Sequence, residues 1–189
     1  MAIMHTGEQS LGFPVCQSAR LSVLWNLELH MKPLALLVES IRSGIIASLV
    51  IVPLSPLFKA AGLRIGHYGP KFAALFFDNP QPWLLFLQHL VIGCVSALPL
   101  LVILATTRAG EQRLLTGAVY GAAYYVVVNS LALPIYFGDA LPWQLGAATI
   151  LPSLFGHIIF GASIGLTSKR FVTAAREVAY AHVVSRKGR

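Results

Sequence analysis

The sequence is poor in charged residues, and acids are the rarer kind. Of its 189 residues 11% are charged, with seven acidic against fourteen basic residues, whereas about 25% are charged in an ordinary soluble domain. The chain has no H-E-x-x-H, no G-x-S-x-G and no phosphate-binding glycine loop. No two acids stand close enough in sequence to suggest a catalytic pair. The sequence therefore predicts no catalytic reaction.

Cysteine is also scarce, with only two residues in the chain. Cys16 lies near the N-terminus and Cys94 within an apolar run, so we expect no disulfide between them. The first thirty residues lack the basic start and the apolar run of a cleavable signal peptide. Residues 1–32 are predicted to form a cytoplasmic tail.

Apolar residues are abundant and make up 56% of the chain. A chain of this length cannot bury so much apolar surface in one aqueous core, so lipid is the expected solvent. Four apolar runs are each ~20 residues or longer, the length with which a helix crosses a hydrocarbon core of ~30 Å. The fold class is thus predicted to be all-α, a polytopic membrane protein with four transmembrane helices at about 33–58, 82–106, 114–137 and 145–166.

The net charge of +7 is placed as membrane topology requires and does not predict nucleic-acid binding. Arg108 and Arg113 flank the connection between the second and third spans, and six basic residues lie in the tail 169–189. The connection between the third and fourth spans holds Asp139 and no basic residue. Basic residues favour the cytoplasmic side, so both termini are predicted to be cytoplasmic. The basic loop 59–81 disagrees, because this topology places it outside.

Two stretches of the chain share one pattern. Residues 89–97 read HLVIGCVSA and residues 157–165 read HIIFGASIG. Each follows a span with its own glycine and a proline near its end. The chain is therefore predicted to consist of two tandem helical hairpins. Chance similarity between apolar helices is the alternative explanation.

Small residues recur at four-residue spacing on every predicted span. Helices in lipid associate through close van der Waals contact and interhelical hydrogen bonds, and small residues allow the backbones to approach. The residues predicted to pack helices in this way are Gly44, Gly93, Gly117, Gly121, Gly161 and Gly165.

His89 and His157 lie on these small-residue faces and are predicted to point into the bundle. In one interpretation each imidazole makes a structural hydrogen bond. In a second, His89, His157, Asn129 and Gln88 line a path for protons or a small solute. In a third, the two histidines bind a haem or a metal ion.

Depth along the helices bears on these interpretations. His89 lies ~9 Å below the outer surface and Asn129 ~12 Å, so these two residues are expected to meet. His157 lies ~21 Å deep if its helix starts at Trp143, and level with His89 if the helix starts near Pro152.

Three further features are predicted outside this site. Glu39 and Arg42 are spaced to form an ion pair at the inner end of the first span. Residues 72–77 are expected to form a short amphipathic interfacial helix. Residues 169–189 fit either a helix resting on the anionic inner leaflet or a solvated basic tail.

The chain resembles small four-helix bacterial inner-membrane proteins of unknown function, the YagU-like group. The similarity covers roughly residues 42–168. It is carried by Gln88-His-Leu-Val-Ile-Gly93, by Gly117-Ala-Val-Tyr-Gly121 followed by Leu133-Pro134, and by Gly156-His-Ile-Ile-Phe-Gly161. The resemblance implies a bacterial cytoplasmic membrane and no established substrate. The acids that YagU-like proteins carry around their later helices are missing here, so an acid-stress role does not transfer.

The primary functional prediction is an inner-membrane accessory or packing protein. Such a protein acts through membrane lipid, a membrane-protein partner or a homo-oligomer. The alternatives are a small permease or proton-conducting bundle that uses the intramembrane histidines, and a b-type haem protein. No other cofactor is predicted.

Overall fold

The computed structural model describes residues 33–63 and 68–187, so the tail 1–32 and Cys16 lie outside the described residues. The described chain is all-helical, as predicted. Four of its helical segments are long and apolar enough to cross a membrane: Pro33–Ala60, Pro82–Thr106, Arg108–Phe137 and Ala147–Thr167. They are called the first to fourth spans below.

The spans are divided into shorter elements at points that the sequence explains. The first breaks at Pro53, which cannot donate a helix hydrogen bond, and Gly146 with φ +88° separates the fourth from the short helix before it. In chain order the α-helices are α1 Pro33–Ile51, α2 Leu54–Ala60, α3 Tyr68–Ala73, α4 Pro82–Thr106, α5 Arg113–Tyr124, α6 Leu133–Phe137, α7 Pro142–Leu145, α8 Ala147–Thr167 and α9 Lys169–Lys187. A 3₁₀ turn, Arg108–Gln112, precedes α5, and a π-helix, Tyr125–Ala132, follows it.

The observed bounds differ from the sequence prediction at four places. The second span begins and ends at the predicted residues, whereas the first continues through α2 to Ala60 and the third begins at Arg108 instead of residue 114. The loop helix α3 spans Tyr68–Ala73 instead of residues 72–77, and a turn follows it at residues 74–76. The fourth span starts at Ala147, between the two starts considered from the sequence.

The third and fourth spans pack backbone against backbone. A methyl group on Gly117 would overlap the carbonyl oxygen of Gly161, and one on Gly121 would overlap the carbonyl oxygen of His157. A methyl group on Gly165 would overlap the carbonyl oxygen of Arg113. These glycines therefore permit an approach that no other residue allows.

The first and second spans meet in a similar contact. A methyl group on Gly44 would lie 2.6 Å from Cα of Cys94, and one on Gly93 would overlap Oγ of Ser48. The first span also packs against the fourth. All six glycines named from the sequence thus lie where two helices touch.

One end of the bundle is tightly packed and is called the closed end. Its core contains the fully buried Leu100, Leu101 and Leu104 of α4 together with Ile164 of α8. The C-terminal helix α9 contributes Val172, which is 1% exposed. Helix α9 therefore docks on the bundle at its first turn and is not a wholly solvated tail.

The outside of the bundle is apolar. Leu34 is 70% exposed, Val95 and Val119 are each 60% exposed, and Phe155 is 52% exposed. Soluble monomers rarely expose contiguous apolar surface of this extent. The fold is thus that of a helical protein suited to a membrane.

Candidate functional site: a cavity between the spans

A partly open cavity of about 850 Å³ lies at the end of the bundle opposite the closed end. This end, called the open end below, comprises α2, α3, the first half of α4, the π-helix and the first half of α8. All four spans contribute to the cavity wall. Its volume falls within the range of ~300–1,000 Å³ that is usual for small-molecule sites.

All four polar candidates from the sequence line this cavity: Gln88, His89, Asn129 and His157. His89 lies seven residues after the start of α4 and His157 ten residues after the start of α8. At 1.5 Å per residue the two histidines differ in depth by roughly one helical turn. They are neither level nor widely staggered.

His157 is held by hydrogen bonds at both ring nitrogens. Its Nδ1 lies 2.6 Å from the carbonyl oxygen of Ser153, one turn earlier on α8, and its Nε2 lies 2.6 Å from Nδ2 of Asn129. A carbonyl oxygen only accepts, so Nδ1 carries the hydrogen. Nε2 is then the acceptor for the Asn129 amide. The two partners together define one neutral tautomer.

Asn129 reaches His157 from the π-helix, which was not predicted from the sequence. Wider π turns frequently occur at functional sites. Pro134 follows closely, and it lacks an N–H group while its ring crowds the carbonyl group of Ser130 one turn earlier. The wider turns before Pro134 relieve that conflict. The Leu133-Pro134 pair was therefore the sequence feature that could have indicated the π-helix.

The expected meeting of His89 with Asn129 is not observed. Asn129 contacts His157 instead, because the third span packs closely on the fourth and only slightly on the second. His89 faces the first span, where its Nε2 lies 3.4 Å from the carbonyl oxygen of Ser48. The two histidines thus have different neighbours around one cavity.

Tyrosines of the third span complete the polar wall. The ring of Tyr124 stacks on His157 with centroids 5.8 Å apart, and Tyr125 packs against the same imidazole at 5.7 Å. Ser96 of α4 donates to the Tyr124 hydroxyl at 3.0 Å and accepts from Tyr120 through its carbonyl oxygen at 2.7 Å. Ser96 was not named from the sequence, where a lone serine among small residues reads as packing.

Helix α3 forms a side of the cavity and contacts the connection between the third and fourth spans. Lys71 Nζ lies 2.5 and 2.6 Å from the carboxylate oxygens of Asp139, and Tyr68 stacks on Phe137 at 6.0 Å. Burial, and then the neighbouring Asp139 carboxylate, raises the pKa of the Tyr68 hydroxyl. Gln88 holds the same helix by donating to the carbonyl oxygen of Gly69 at 3.0 Å.

The predicted Glu39–Arg42 pair is present at the closed end. Arg42 donates to the Glu39 carboxylate at 2.7 and 3.0 Å. It also donates to the carbonyl oxygen of Thr167 at the end of α8, at 2.6 Å. The pair therefore joins the first span to the fourth.

The described residues contain no group of three or more metal-ligating His, Cys, Asp or Glu side chains. Haem iron would need a free imidazole nitrogen on each histidine. In this arrangement Asn129 engages Nε2 of His157 and Ser153 engages its Nδ1. The geometry thus favours hydrogen bonding by His157 over ligation.

In the part of the chain that the structure describes, these features define an all-helical protein with four helices fit to cross a membrane and a partly polar cavity at one end. No protein-family model, curated protein or solved structure matches the chain.

Proposed function

We propose that the chain is a multi-pass protein of the bacterial cytoplasmic membrane that works as a small permease. Its solute site is the cavity at the open end. The observation that carries this proposal is the convergence of Gln88, His89, Asn129 and His157 on that cavity. Polar side chains within membrane spans are costly, and those that line a cavity are functional candidates by default.

The two ends of the bundle support a transport role. The cavity occupies one end, and a buried leucine core with the Arg42–Glu39 pair occupies the other. A permease exposes its site to one side of the membrane at a time, and the substrate sites of such proteins lie near the middle of the bilayer. This arrangement suits a state that is open to one side only.

An accessory protein that works through partner helices has less support. The small-residue faces that would receive a partner are occupied within the chain, as in the contacts Gly117–Gly161 and Gly44–Cys94. The polar residues line open space instead of these contacts. The tight contacts and the polar site are thus separate features of the bundle.

The proposed topology places both termini in the cytoplasm and arranges the spans as two tandem hairpins. The basic loop 59–81 was the feature that disagreed with this orientation. Lys71 in that loop pairs with Asp139 of the third connection, so its charge is balanced on the same side. The open end then faces outward.

Flux through reconstituted vesicles tests the permease proposal. The probes are protons, followed with entrapped pyranine after a pH jump, and glycerol, urea and butyramide, followed by light scattering. Wild-type protein should raise the rate for at least one probe above that of protein-free vesicles. Substituting Gly156→Leu should remove the increase, because Gly156 lines the cavity and a Cβ there meets nothing within 4 Å.

The matched control is Val119→Leu, which adds bulk at a residue that is 60% exposed on the outer surface. It should leave the flux unchanged. Flux equal to that of protein-free vesicles for every probe would overturn the proposal. So would unchanged flux in a folded Gly156→Leu protein.

A further inference from the structure

The composition of the cavity wall restricts what the cavity can hold. None of the described residues that line it is Asp, Glu, Lys or Arg. The nearby Lys71 is paired with Asp139 outside the wall. A charged ligand would leave water without a permanent counter-charge to meet it, and the two hydrogen bonds of His157 define a neutral imidazole. Burial of an unpaired charge is the most costly kind of burial.

The polar groups of the wall offer both a donor and an acceptor. His157 takes one of the two amide hydrogens of Asn129, which leaves that amide a second hydrogen and a carbonyl oxygen. The hydroxyl of Tyr124 accepts from Ser96 and keeps its own hydrogen. Both side chains contact the same imidazole, since Tyr124 stacks on the His157 ring that Asn129 binds.

Most of the remaining wall is apolar. It includes Phe58 of α2, Phe72 of α3, Leu85 of α4, and Val128 and Leu133 from the third span. Small-molecule sites usually combine such a wall with a few convergent polar groups. The ligand therefore needs an apolar body and one small polar head.

We infer that the cavity binds an uncharged amphipathic molecule whose head group both donates and accepts a hydrogen bond, as a primary carboxamide does. The head lies against Asn129 and Tyr124, and the apolar body lies along the aromatic and aliphatic wall. This inference deepens the proposed function by naming the substrate class, and it concerns binding alone. The inference can therefore be tested by a binding measurement that does not depend on flux.

Photolabelling of the full chain in phosphatidylcholine nanodiscs tests the inference. Three ten-carbon probes carry a diazirine at the tail end and differ only in the head, which is a carboxamide, a sulfonate or a trimethylammonium group. Mass spectrometry then locates the label. The carboxamide probe should label cavity residues at least ~tenfold more than either charged probe, because tenfold corresponds to only ~1.4 kcal/mol and burial of an unpaired charge costs more than that.

Two substitutions make the measurement specific to the site. Gly156→Leu should abolish cavity labelling by filling the space, and Asn129→Leu should lower carboxamide labelling to the level of the charged probes by removing the partner of the head group. Val119→Leu on the outer surface is the control and should label like wild type.

A phosphatidylcholine carrying the diazirine in its acyl chain separates a free ligand from bilayer lipid. It should label the outer surface and leave the cavity residues nearly unlabelled. Equal labelling of the cavity by the charged probes, or by this lipid, would overturn the inference. Absence of flux with selective carboxamide labelling would instead overturn only the permease proposal.

Discussion

Substituting Gly121→Ala should separate the third and fourth spans. The new methyl group would overlap the carbonyl oxygen of His157 and lie 2.6 Å from its carbonyl carbon and 3.1 Å from Cα of Ile158. Carbon atoms pack at ~3.5–4.0 Å, so the helices must move apart by roughly 1 Å. Overpacking of this kind costs about 1–3 kcal/mol. The backbone neighbours cannot rotate away, so we expect a value toward the upper end.

The assay is reversible unfolding in mixed micelles, in which the SDS mole fraction is raised and helix content is followed by circular dichroism. Gly156→Ala is the matched control on α8, because a Cβ at Gly156 meets nothing within 4 Å. This control should be neutral or gain up to ~1 kcal/mol from the higher helix propensity of alanine. Gly121→Ala should therefore lower the unfolding midpoint, whereas Gly156→Ala should leave it unchanged or raise it.

A double variant sharpens this test. Gly161 faces Gly117 in the same contact, so once Gly121→Ala has separated the helices, Gly161→Ala should cost less than it does alone. Neighbouring sites that share one backbone shift are non-additive in this way. Equal midpoints for Gly121→Ala and Gly156→Ala would refute the reasoning, since the packing of the two spans would then not depend on backbone contact.

Three further substitutions test other contacts by the same unfolding assay. Asn129→Leu leaves Nε2 of His157 without its partner and should destabilise by about 1 kcal/mol, because hydrogen bonds within bilayers average ~0.6 kcal/mol and the buried acceptor is left unpaired. Arg42→Met leaves the largely buried Glu39 carboxylate unpaired and should cost up to about 3 kcal/mol, whereas adding Glu39→Gln should restore most of the loss. Lys71→Met removes a partly exposed ion pair and should cost less than ~1 kcal/mol. A larger loss for Lys71→Met than for Arg42→Met would contradict this order.

The helical framework was predictable because its signals are local. An apolar run of sufficient length predicts a span, and the second span, Pro82–Thr106, has the predicted bounds. The Glu39–Arg42 pair was predictable for the same reason, since a three-residue spacing on a helix fixes the two side chains beside each other. Neither prediction needs information about how distant helices are arranged.

The pairing of the site residues was not predictable, because it depends on which spans are neighbours. The depths of Asn129 and His89, counted in residues along straight helices, predicted that these two side chains meet. Depth alone does not give the direction in which a side chain points around the helix axis. The π-helix changes that angle and brings Asn129 to His157. The role of helix α3 as a wall of the cavity was also not predictable, because contacts with Asp139 and Phe137, which are distant in sequence, position this helix.

The repeated histidine pattern shows how one local motif acquires two roles. In both copies the glycine four residues after the histidine lies at a helix contact, Gly93 against Ser48 and Gly161 against Gly117. The histidines diverge because their neighbours differ. His157 meets an amide that fills its second nitrogen, whereas His89 meets only the carbonyl oxygen of Ser48 at 3.4 Å. The spacing thus specifies close packing in both copies, and the neighbouring span decides what each imidazole contacts.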